Sequence, residues 1–441
     1  MIVKDTFPET FRWSAYFAMD AANGGKIKKR YESDLRAFRH GTSVRKTQAK
    51  LRDLLRHASS TTAFYKDMDP DAGLASFPVV DRELIRRRRD DFISSAYADG
   101  RGCRIRHTNG RNDLPLAILQ DARKVKMNAA DGIFLASLAN YYIGEKMAMI
   151  RVWSGKGNPN RVTLHAENML RLDCSSLSDE KIADMLNTIR SKHVKAIIGY
   201  SPALALISNY IDRYCVDMDD FEVHSIIPIT EPLTEEIRSA LMHQFNCTVQ
   251  AWYASEENGI IGIQDPIENR YYMNAESYYV EILKMDSDEP CEDGEEGRVV
   301  ITDLNNRAFP LIRYANGDLA RAHHVVKNGH YRMSIRDIIT GAADPLYSTR
   351  GELVSVYAIT NELWDLAGVK NYQLVQKGVR SYELRLAGER SLMDIDGILD
   401  RIRPVLGADA NIEVSFPDDL MTCYGKNKVI VNECPEYLKI S

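Results

Sequence analysis

The residues best suited to chemistry gather in the second half of the chain, and the densest stretch runs from Arg307 to Asp318, R-A-F-P-L-I-R-Y-A-N-G-D. It reads as a short apolar strand ending in a polar Asn-Gly-Asp turn, which presents the Asp318 carboxylate at a sheet edge. Such a carboxylate accepts two hydrogen bonds from a vicinal diol, as in the ribose of a nucleotide. A turn Asp after a strand is structural more often than not. What singles this one out is its company: Tyr253 to Gly259 upstream, Gly341 to Asp344 and Gly425 to Lys428 downstream.

The elements that must position these residues follow from periodicity. Residues 1–66 read as amphipathic helix, with Leu51, Leu54, Leu55 and Ala58 on one face. A second helix after Pro78-Val-Val-Asp81 carries the run Arg86 to Arg89, a solvated face balanced by Asp90 and Asp91. Residues 104–118 form two strand-like pieces around the polar loop Thr108-Asn-Gly-Arg-Asn-Asp-Leu-Pro115. Thr108, Gly110 and Arg111 could line a phosphate there, or the loop could be an ordinary hairpin turn. Residues 122–150 are mostly helical, and Ala148 to Trp153 reads as a buried strand. Gly155-Lys156-Gly157 lacks the spacing of a Walker motif and reads as a loop tip.

From Leu177 strands and helices alternate: strands at 196–200, 225–230 and 248–253, helices at 202–214 and 234–245. Repeated β-α-β units imply a largely parallel sheet covered by helices, with ligands collecting beyond the carboxyl ends of its strands. The residues following those strands are Ser201, Glu231 and Ala254 to Glu257. Beyond Ile260 the pattern turns to β-hairpins, and a third region begins near Gly341.

Composition bounds the function. A length of 441 residues is too great for one ordinary domain. A net charge of −5 and a pI near 6.1 argue against a general nucleic-acid or membrane-surface binder. The seven cysteines are scattered without a C-x-x-C pair, which fits free thiols in a reducing cytoplasm. Neither a secretory signal pattern nor an uninterrupted apolar run of about 18 residues is present. A soluble cytoplasmic protein is expected.

In order and spacing, Thr230-Glu-Pro-Leu-Thr-Glu-Glu236, Trp252 to Gly259, Gly297 to Arg321 and Gly425-Lys426 resemble the adenylate-forming enzymes. The branch is similar to the phenylacetate-CoA ligases and their relatives in capsular-polysaccharide synthesis and deazaflavin-coenzyme adenylylation. Leu51 to Lys66 is also typical of that branch, so the resemblance covers nearly the whole chain.

The resemblance implies an α/β fold: a large multi-sheet domain over 1–340, with a helical segment at 1–100, and a small mobile α+β domain over 341–441. It implies ATP-dependent activation of a small carboxylic acid, aryl or acyl, to an acyl-adenylate, then transfer to an acceptor such as coenzyme A. The expected partners are the acid and the nucleotide, with neither nucleic acid nor membrane, and a homodimer stays open. Residue by residue, Asp318 would bind the ribose diol, Tyr253 would lie against adenine, and Glu257 would hold Mg²⁺. Thr230, Glu231 and Pro232 would wall the adenine pocket, with Ser255 nearby. Lys426, in preference to Lys428, would be the catalytic lysine, and Asp344 the hinge between half-reactions. Tyr141, Tyr142, Trp153 and Tyr200 could line an acyl pocket or sit in the core. His107 could touch substrate or be structural.

Departures from the family's motifs accompany the matches. Asp113 stands where the phosphate loop has glycine and Leu114 where it has lysine, while Gly110 and Pro115 match. A carboxylate about 4 Å from a phosphate costs on the order of 4 kcal/mol at an effective dielectric near 20. Ala342 replaces the hinge arginine, and Glu256 replaces the threonine of Tyr-Gly-x-Thr-Glu. The alternatives are a non-CoA adenylyltransferase, an amide-forming ligase, or a catalytically impaired nucleotide-binding homologue.

Overall fold

The computed structural model describes residues 9–434 except 108–115, 154–163, 165–166, 176, 231–232, 286, 328, 340–343, 345, 355–357, 360–361, 364–365, 418–421, 424–425 and 428. At 325–327, 353, 370–371, 422–423 and 426–427 it describes the backbone alone.

Helices α1 (Glu9–Ala22) and α2 (Lys26–His40) lead into a two-residue strand, β1 (Thr42–Ser43), and then α3 (Val44–Thr61). Ser43 caps α3 by accepting from Lys46 N, and the expected face of Leu54, Leu55 and Ala58 is buried. A short helix, α4 (Arg82–Arg87), starts from the capping side chain of Asp81. The arginine run at 86–89 is paired locally: Arg86 bonds Glu83, Arg88 bonds Asp91 and Arg89 bonds Asp90. Strands β2 (Arg104–His107) and β3 (Ala117–Gln120) pair antiparallel around the polar loop.

The α/β region runs through α5 (Ala122–Leu138), β4 (Met147–Arg151), β5 (Met169–Asp173), α6 (Asp179–Ser191), β6 (Ala196–Tyr200), α7 (Ser201–Tyr214), β7 (Ser225–Ile229), α8 (Glu235–Phe245) and β8 (Thr248–Val249). The strands form a parallel sheet in the order β5-β4-β6-β7-β8, as the alternation implies. β6 is buried at every position, and Ile182, Leu186, Leu204, Ile207 and Leu241 cover one face of the sheet.

One expectation fails here. The strand read at 248–253 is two strands: β8 ends the parallel sheet, and β9 (Trp252–Ser255) starts another sheet in antiparallel pairing with β10 (Gly259–Gln264). Ala254 to Glu257 therefore do not follow a strand of the parallel sheet. Gln250 stands at the break, where its side chain donates to Gln264 O at 2.8 Å and secures the change of sheet.

That second sheet adds β11 (Tyr271–Met273), β12 (Tyr278–Leu283), β13 (Glu296–Asp303), β14 (Tyr314–Lys327) and β15 (His330–Ile339), in the order β12-β13-β14-β15-β11-β10-β9, with β1 also on β15. It curls strongly. β9 and β14 are separated by three strands along the hydrogen-bonded path, yet their side chains meet across an interior filled by Tyr253, Tyr271, Tyr278, Val299, Ala320 and Met333. The expected strand-then-turn at 307–318 is also corrected: residues 304–313 are buried irregular chain, and the Asn-Gly-Asp lies inside β14 as a bulge. Ala315 pairs with Val300 and Leu319 with Arg298, so extra residues of β14 stand opposite Val299.

The last stretch contains β16 (Leu346–Tyr347), β17 (Leu353–Val354), β18 (Val369–Gln376), β19 (Ser381–Gly388), α9 (Ile395–Leu406), β20 (Asn411–Ser415), β21 (Thr422–Cys423), β22 (Lys426–Asn427) and β23 (Ile430–Asn432). A four-stranded mixed sheet, β20-β19-β18-β23, packs on α9 through Leu374, Leu384, Ile398, Ile402 and Leu406. Every residue of that core cluster lies between 346 and 430. Among the described residues no helix is long and apolar enough to cross a membrane.

Candidate functional site

The β9–β10 hairpin carries the first half of the site. Its turn is closed locally: Ser255 Oγ accepts from Asn258 N and donates to Asn258 Oδ1, both at 3.1 Å. Gly259 follows with φ +102°, and a Cβ there would meet Asn128 Oδ1 at 3.0 Å, so glycine is required. From behind, the Asn258 carbonyl accepts from Lys124 Nζ at 2.6 Å and from Tyr278 Oη at 2.5 Å. Lys124 is completely buried and is balanced by Asp303, equally buried, at 2.6 Å. The turn is thus pinned to the core by a neutralised cation, which fixes where Glu257 stands.

The second half comes from the start of β14. Val80 bridges Tyr314 in parallel, with Val80 N donating to Arg313 O at 3.0 Å and Ala315 N to Val80 O at 2.8 Å. The bridge draws α4 alongside. Tyr314 Oη donates to Glu257 Oε1 at 3.1 Å, and Arg82, the first residue of α4, lies 3.5 Å from the same oxygen. In the bulge, Gly317 has φ +80°, which turns the next residue back toward the sheet interior. Asp318 Oδ2 accepts from Tyr253 Oη at 2.8 Å and from Asn316 Nδ2 at 2.7 Å, and Asp318 N donates to Asn316 Oδ1 at 3.1 Å. Burial, reinforced by the Asp318 charge, pushes the Tyr253 phenol well above its ordinary value. Tyr253 consequently stays a donor at physiological pH, and one edge of Asp318 is held in a fixed plane.

The structure therefore brings together Tyr253, Ser255, Glu257 and Asp318. Glu256 stands in the same turn with 48% of its side chain exposed and Arg106 at 4.0 Å. Desolvation by its crowded surroundings holds the Glu256 carboxyl above the usual range; Arg106 and Arg151 oppose that rise and Glu257 adds to it. Thr230 directly follows β7 with φ +84°. A β-branched residue there costs about 1–3 kcal/mol of strain, which marks a position its surroundings enforce.

Other expected residues lie apart or outside the description. Thr108, Gly110, Arg111, Glu231, Pro232, Gly425, Lys428 and the Lys426 side chain lie outside the described residues. The Lys426 backbone pairs with Cys423 in the β21–β22 hairpin. Asp344 is fastened to β23: its N donates to Ile430 O at 3.1 Å, and its Oδ2 accepts from Asn432 N at 2.9 Å. Tyr141 and Tyr200 are core residues, while Tyr142 is exposed. Trp153 has the Arg151 and Arg171 guanidinium groups over its ring at 4.4 and 5.3 Å. These aromatics do not assemble one apolar pocket.

Arg82, Lys124, Tyr314 and Asn316 join the site without having been assigned to it from sequence. Tyr314 and Asn316 lie inside the R-Y-A-N-G-D stretch, and strand alternation would have placed them near Asp318. Neither Arg82 nor Lys124 carries a local signal, because their partners are remote in the chain. Among the described residues no three His, Cys, Asp or Glu side chains converge as a metal cage. A Mg²⁺ ion held by one carboxylate and by substrate phosphates needs only Glu257, and the donor set fits that mode.

Solved structures supply the comparison for this curled sheet and parallel sheet together. A 2-hydroxyisobutyryl-CoA ligase in complex with 2-HIB-AMP and CoA superposes with a TM-score of 0.58 at 14% identity, covering 90% of this chain and 91% of that one. The fold is that of the adenylate-forming acid ligases. An acyl acid amido synthetase in complex with 2,4-DB shares the ligase fold with a TM-score of 0.52 at 13% identity, covering 93% and 95% of the two chains. By sequence, the phenylacetate-coenzyme A ligase of Pseudomonas putida is 27% identical over 159 residues, which is 35% of this chain and 36% of that ligase. No protein-family model matches the chain.

Proposed function

We propose that this chain is an AMP-forming acid ligase that activates a small carboxylic acid as an acyl-adenylate and passes the acyl group to an acceptor such as coenzyme A. The observation that carries the reading is the pairing, across one curl of sheet, of Asp318 held by Tyr253 and Asn316 with Glu257 held by Tyr314 and Arg82. Asp318 would accept the ribose hydroxyls, and its fixed plane would orient the nucleotide about the glycosidic end. Tyr253 and the strained Thr230 would border the base. Glu257 would face the phosphates, where a bound Mg²⁺ would offset their charge. Arg82 would steady the Glu257 carboxylate, leaving its second oxygen to the phosphate side.

In the adenylation step the acid's carboxylate oxygen bonds to the α-phosphorus and the bond to pyrophosphate breaks. Two anions meet there, so a positioned cation lowers the barrier, and Lys426 on the β21–β22 hairpin is the proposed source. We divide the chain at residue 340, with 341–441 turning about Asp344, whose anchorage to β23 would make it move with the smaller part. Six cysteines are free thiols among the described residues, which supports a reducing compartment.

One observation favours a second reading, a nucleotide-binding homologue with impaired catalysis. Glu256 places a second carboxylate beside Glu257, on the side assigned to phosphate. Pyrophosphate release with ATP and Mg²⁺ across aryl, fatty and amino acids separates the two. Release with one acid class, lost in Lys426→Ala and Asp318→Ala, supports the ligase. ATP binding in calorimetry without release from any acid would sink the ligase and leave the binding homologue.

A further inference from the structure

Arginines from three separate elements meet the turn that carries Glu256 and Glu257. Arg82, at the start of α4, lies 3.5 Å from Glu257 Oε1. The β2–β3 hairpin brings the second. Arg106 pairs with Ile118 and Arg104 with Gln120, so these four side chains share one face of the hairpin. On that face Gln120 Nε2 lies 3.5 Å from the Glu257 carbonyl oxygen, and Arg106 reaches to 4.0 Å from Glu256 Oε2. The third, Arg151, ends β4. Strand alternation puts it on the face of Met147 and Met149, which packs with Trp252 and Ile260 of the β9–β10 hairpin, and from there its charge acts on Glu256.

Glu256 alone does not account for Arg106 and Arg151. At 4.0 Å Arg106 stands outside hydrogen-bonding reach of Glu256, whereas a guanidinium bonded to a carboxylate closes to about 2.7–2.9 Å. Arg238 closes in that way, with Nε and Nη2 on Glu235 at 2.9 and 2.6 Å. Arg151 forms no ion pair with a described residue: Asp173, its neighbour on β5, is taken by Trp153 N at 3.0 Å and by Ser175 Oγ. The Arg151 guanidinium is fixed in place all the same. It lies over the Trp153 ring, 4.4 Å from the centroid, and that ring is fastened through Nε1 to Leu172 O at 3.1 Å. A guanidinium held over a ring keeps its N–H edge for two parallel bonds to an oxyanion.

Three guanidinium groups therefore face two carboxylates, in the turn whose Glu257 is assigned to Mg²⁺ and phosphate. We propose that Arg106 and Arg151 hold the β- and γ-phosphates of ATP, and that Glu256 is the counter-ion they share before the nucleotide binds. On the nucleotide reading of Asp318 and Glu257, on which this rests, they supply a cationic seat for the end of the triphosphate that leaves as pyrophosphate. Two cations converging on one turn repel each other, and Glu256 offsets that repulsion until phosphate oxygens take its place.

The test is titration calorimetry on the full chain with Mg²⁺, comparing ATP with AMP, which has the same base and ribose but lacks the β- and γ-phosphates. Arg106→Gln and Arg151→Gln each weaken ATP binding about ten- to a hundredfold and leave AMP affinity within about twofold. Arg106→Lys, which keeps the charge, recovers part of the loss. Arg101→Gln removes an equal charge where Arg101 pairs with Asp99 at 3.2 Å, and it alters the affinity of neither nucleotide. Asp318→Ala weakens both. Arg106 is half exposed on its strand, so Arg106→Gln carries the test if Arg151→Gln fails to fold. Equal weakening of ATP and AMP, or unchanged ATP affinity in either folded arginine variant, overturns the proposal; the nucleotide reading survives that result as long as AMP binds through Asp318. If the unmodified protein binds neither nucleotide at millimolar concentration, or Asp318→Ala leaves AMP binding unchanged, the nucleotide reading falls and the proposal with it.

Discussion

Replacing Lys124 by methionine removes the cation behind the Glu257 turn while nearly keeping its volume. Lys124 Nζ lies 2.6 Å from Asp303 Oδ2, and both side chains are 0% exposed. At an effective dielectric near 20 the attraction is about 6 kcal/mol. Measured losses on breaking one side of a buried pair run to about 3–5 kcal/mol, because the remaining charge stays buried and unmatched. At roughly 2.1 cal/mol/K per residue, 441 residues melting as one unit give about 0.9 kcal/mol/K, so a 4 kcal/mol loss lowers the melting temperature by about 4 °C.

The discriminating experiment is a double-mutant cycle read by thermal unfolding. Lys124→Met and Asp303→Leu are each strongly destabilising alone. Together they lose only about 1–3 kcal/mol, chiefly because Asn305 N, which donates to Asp303 Oδ1 at 2.9 Å, is left without its acceptor. Losses that add to within about 0.5 kcal/mol would show that the two side chains do not act as a pair. The Asn258 carbonyl keeps its bond from Tyr278 in the variant, so a ligand bound through Glu257 restores part of the lost stability.

Gly317→Ala forces a left-handed residue onto a Cβ and costs about 1–2 kcal/mol, and it displaces Asp318; nucleotide affinity measured by calorimetry falls by at least as large a free energy as the stability does. The Glu256 carboxyl is held above its ordinary 4.5 by desolvation, so its charge disappears as pH falls from neutral toward that range. Nucleotide binding should then tighten, of order tenfold, and Glu256→Gln should bind tightly at every pH; an unchanged pH profile in the variant would remove Glu256 from the phosphate side. In the C-terminal sheet, Arg385, with help from Lys377 and Ser415, lowers the Glu383 carboxyl from 4.5 to about 2. A carboxyl lowered on folding stabilises fully above pH 4.5 and ceases to do so as pH falls to about 2, and in acid unfolding followed by circular dichroism Glu383→Gln loses that part of the slope.

What the sequence showed and what it hid divide along one physical line. Period and capping are local, so α3, the parallel strands β6 and β7, and the hairpin of β12 with β13 were all legible. At the candidate site the sequence set Tyr253 and Asp318 in one cluster, and the fold brings their side chains to 2.8 Å. The break between β8 and β9 was hidden, since an apolar run looks the same whichever sheet its residues join. So was the bulge: Asn-Gly-Asp reads as a chain reversal, and only pairing with β13 shows that the strand continues past it. Arg82 and Lys124 reach the site through Val80 and Asp303, contacts between residues far apart in the chain.

The curl of the second sheet also sets a schedule for the chain as it is made. Arg82 and Lys124 leave the ribosome early, Tyr253 and Glu257 more than a hundred residues later, and Tyr314 and Asp318 later still. Since β9 and β14 are linked along the hydrogen-bonded path only through β10, β11 and β15, the proposed nucleotide contacts would form only once about residue 340 has emerged. The ligand cannot guide the early stages of folding. On the proposed function, a bound nucleotide would stabilise only the finished sheet, leaving half-made precursors to chaperones.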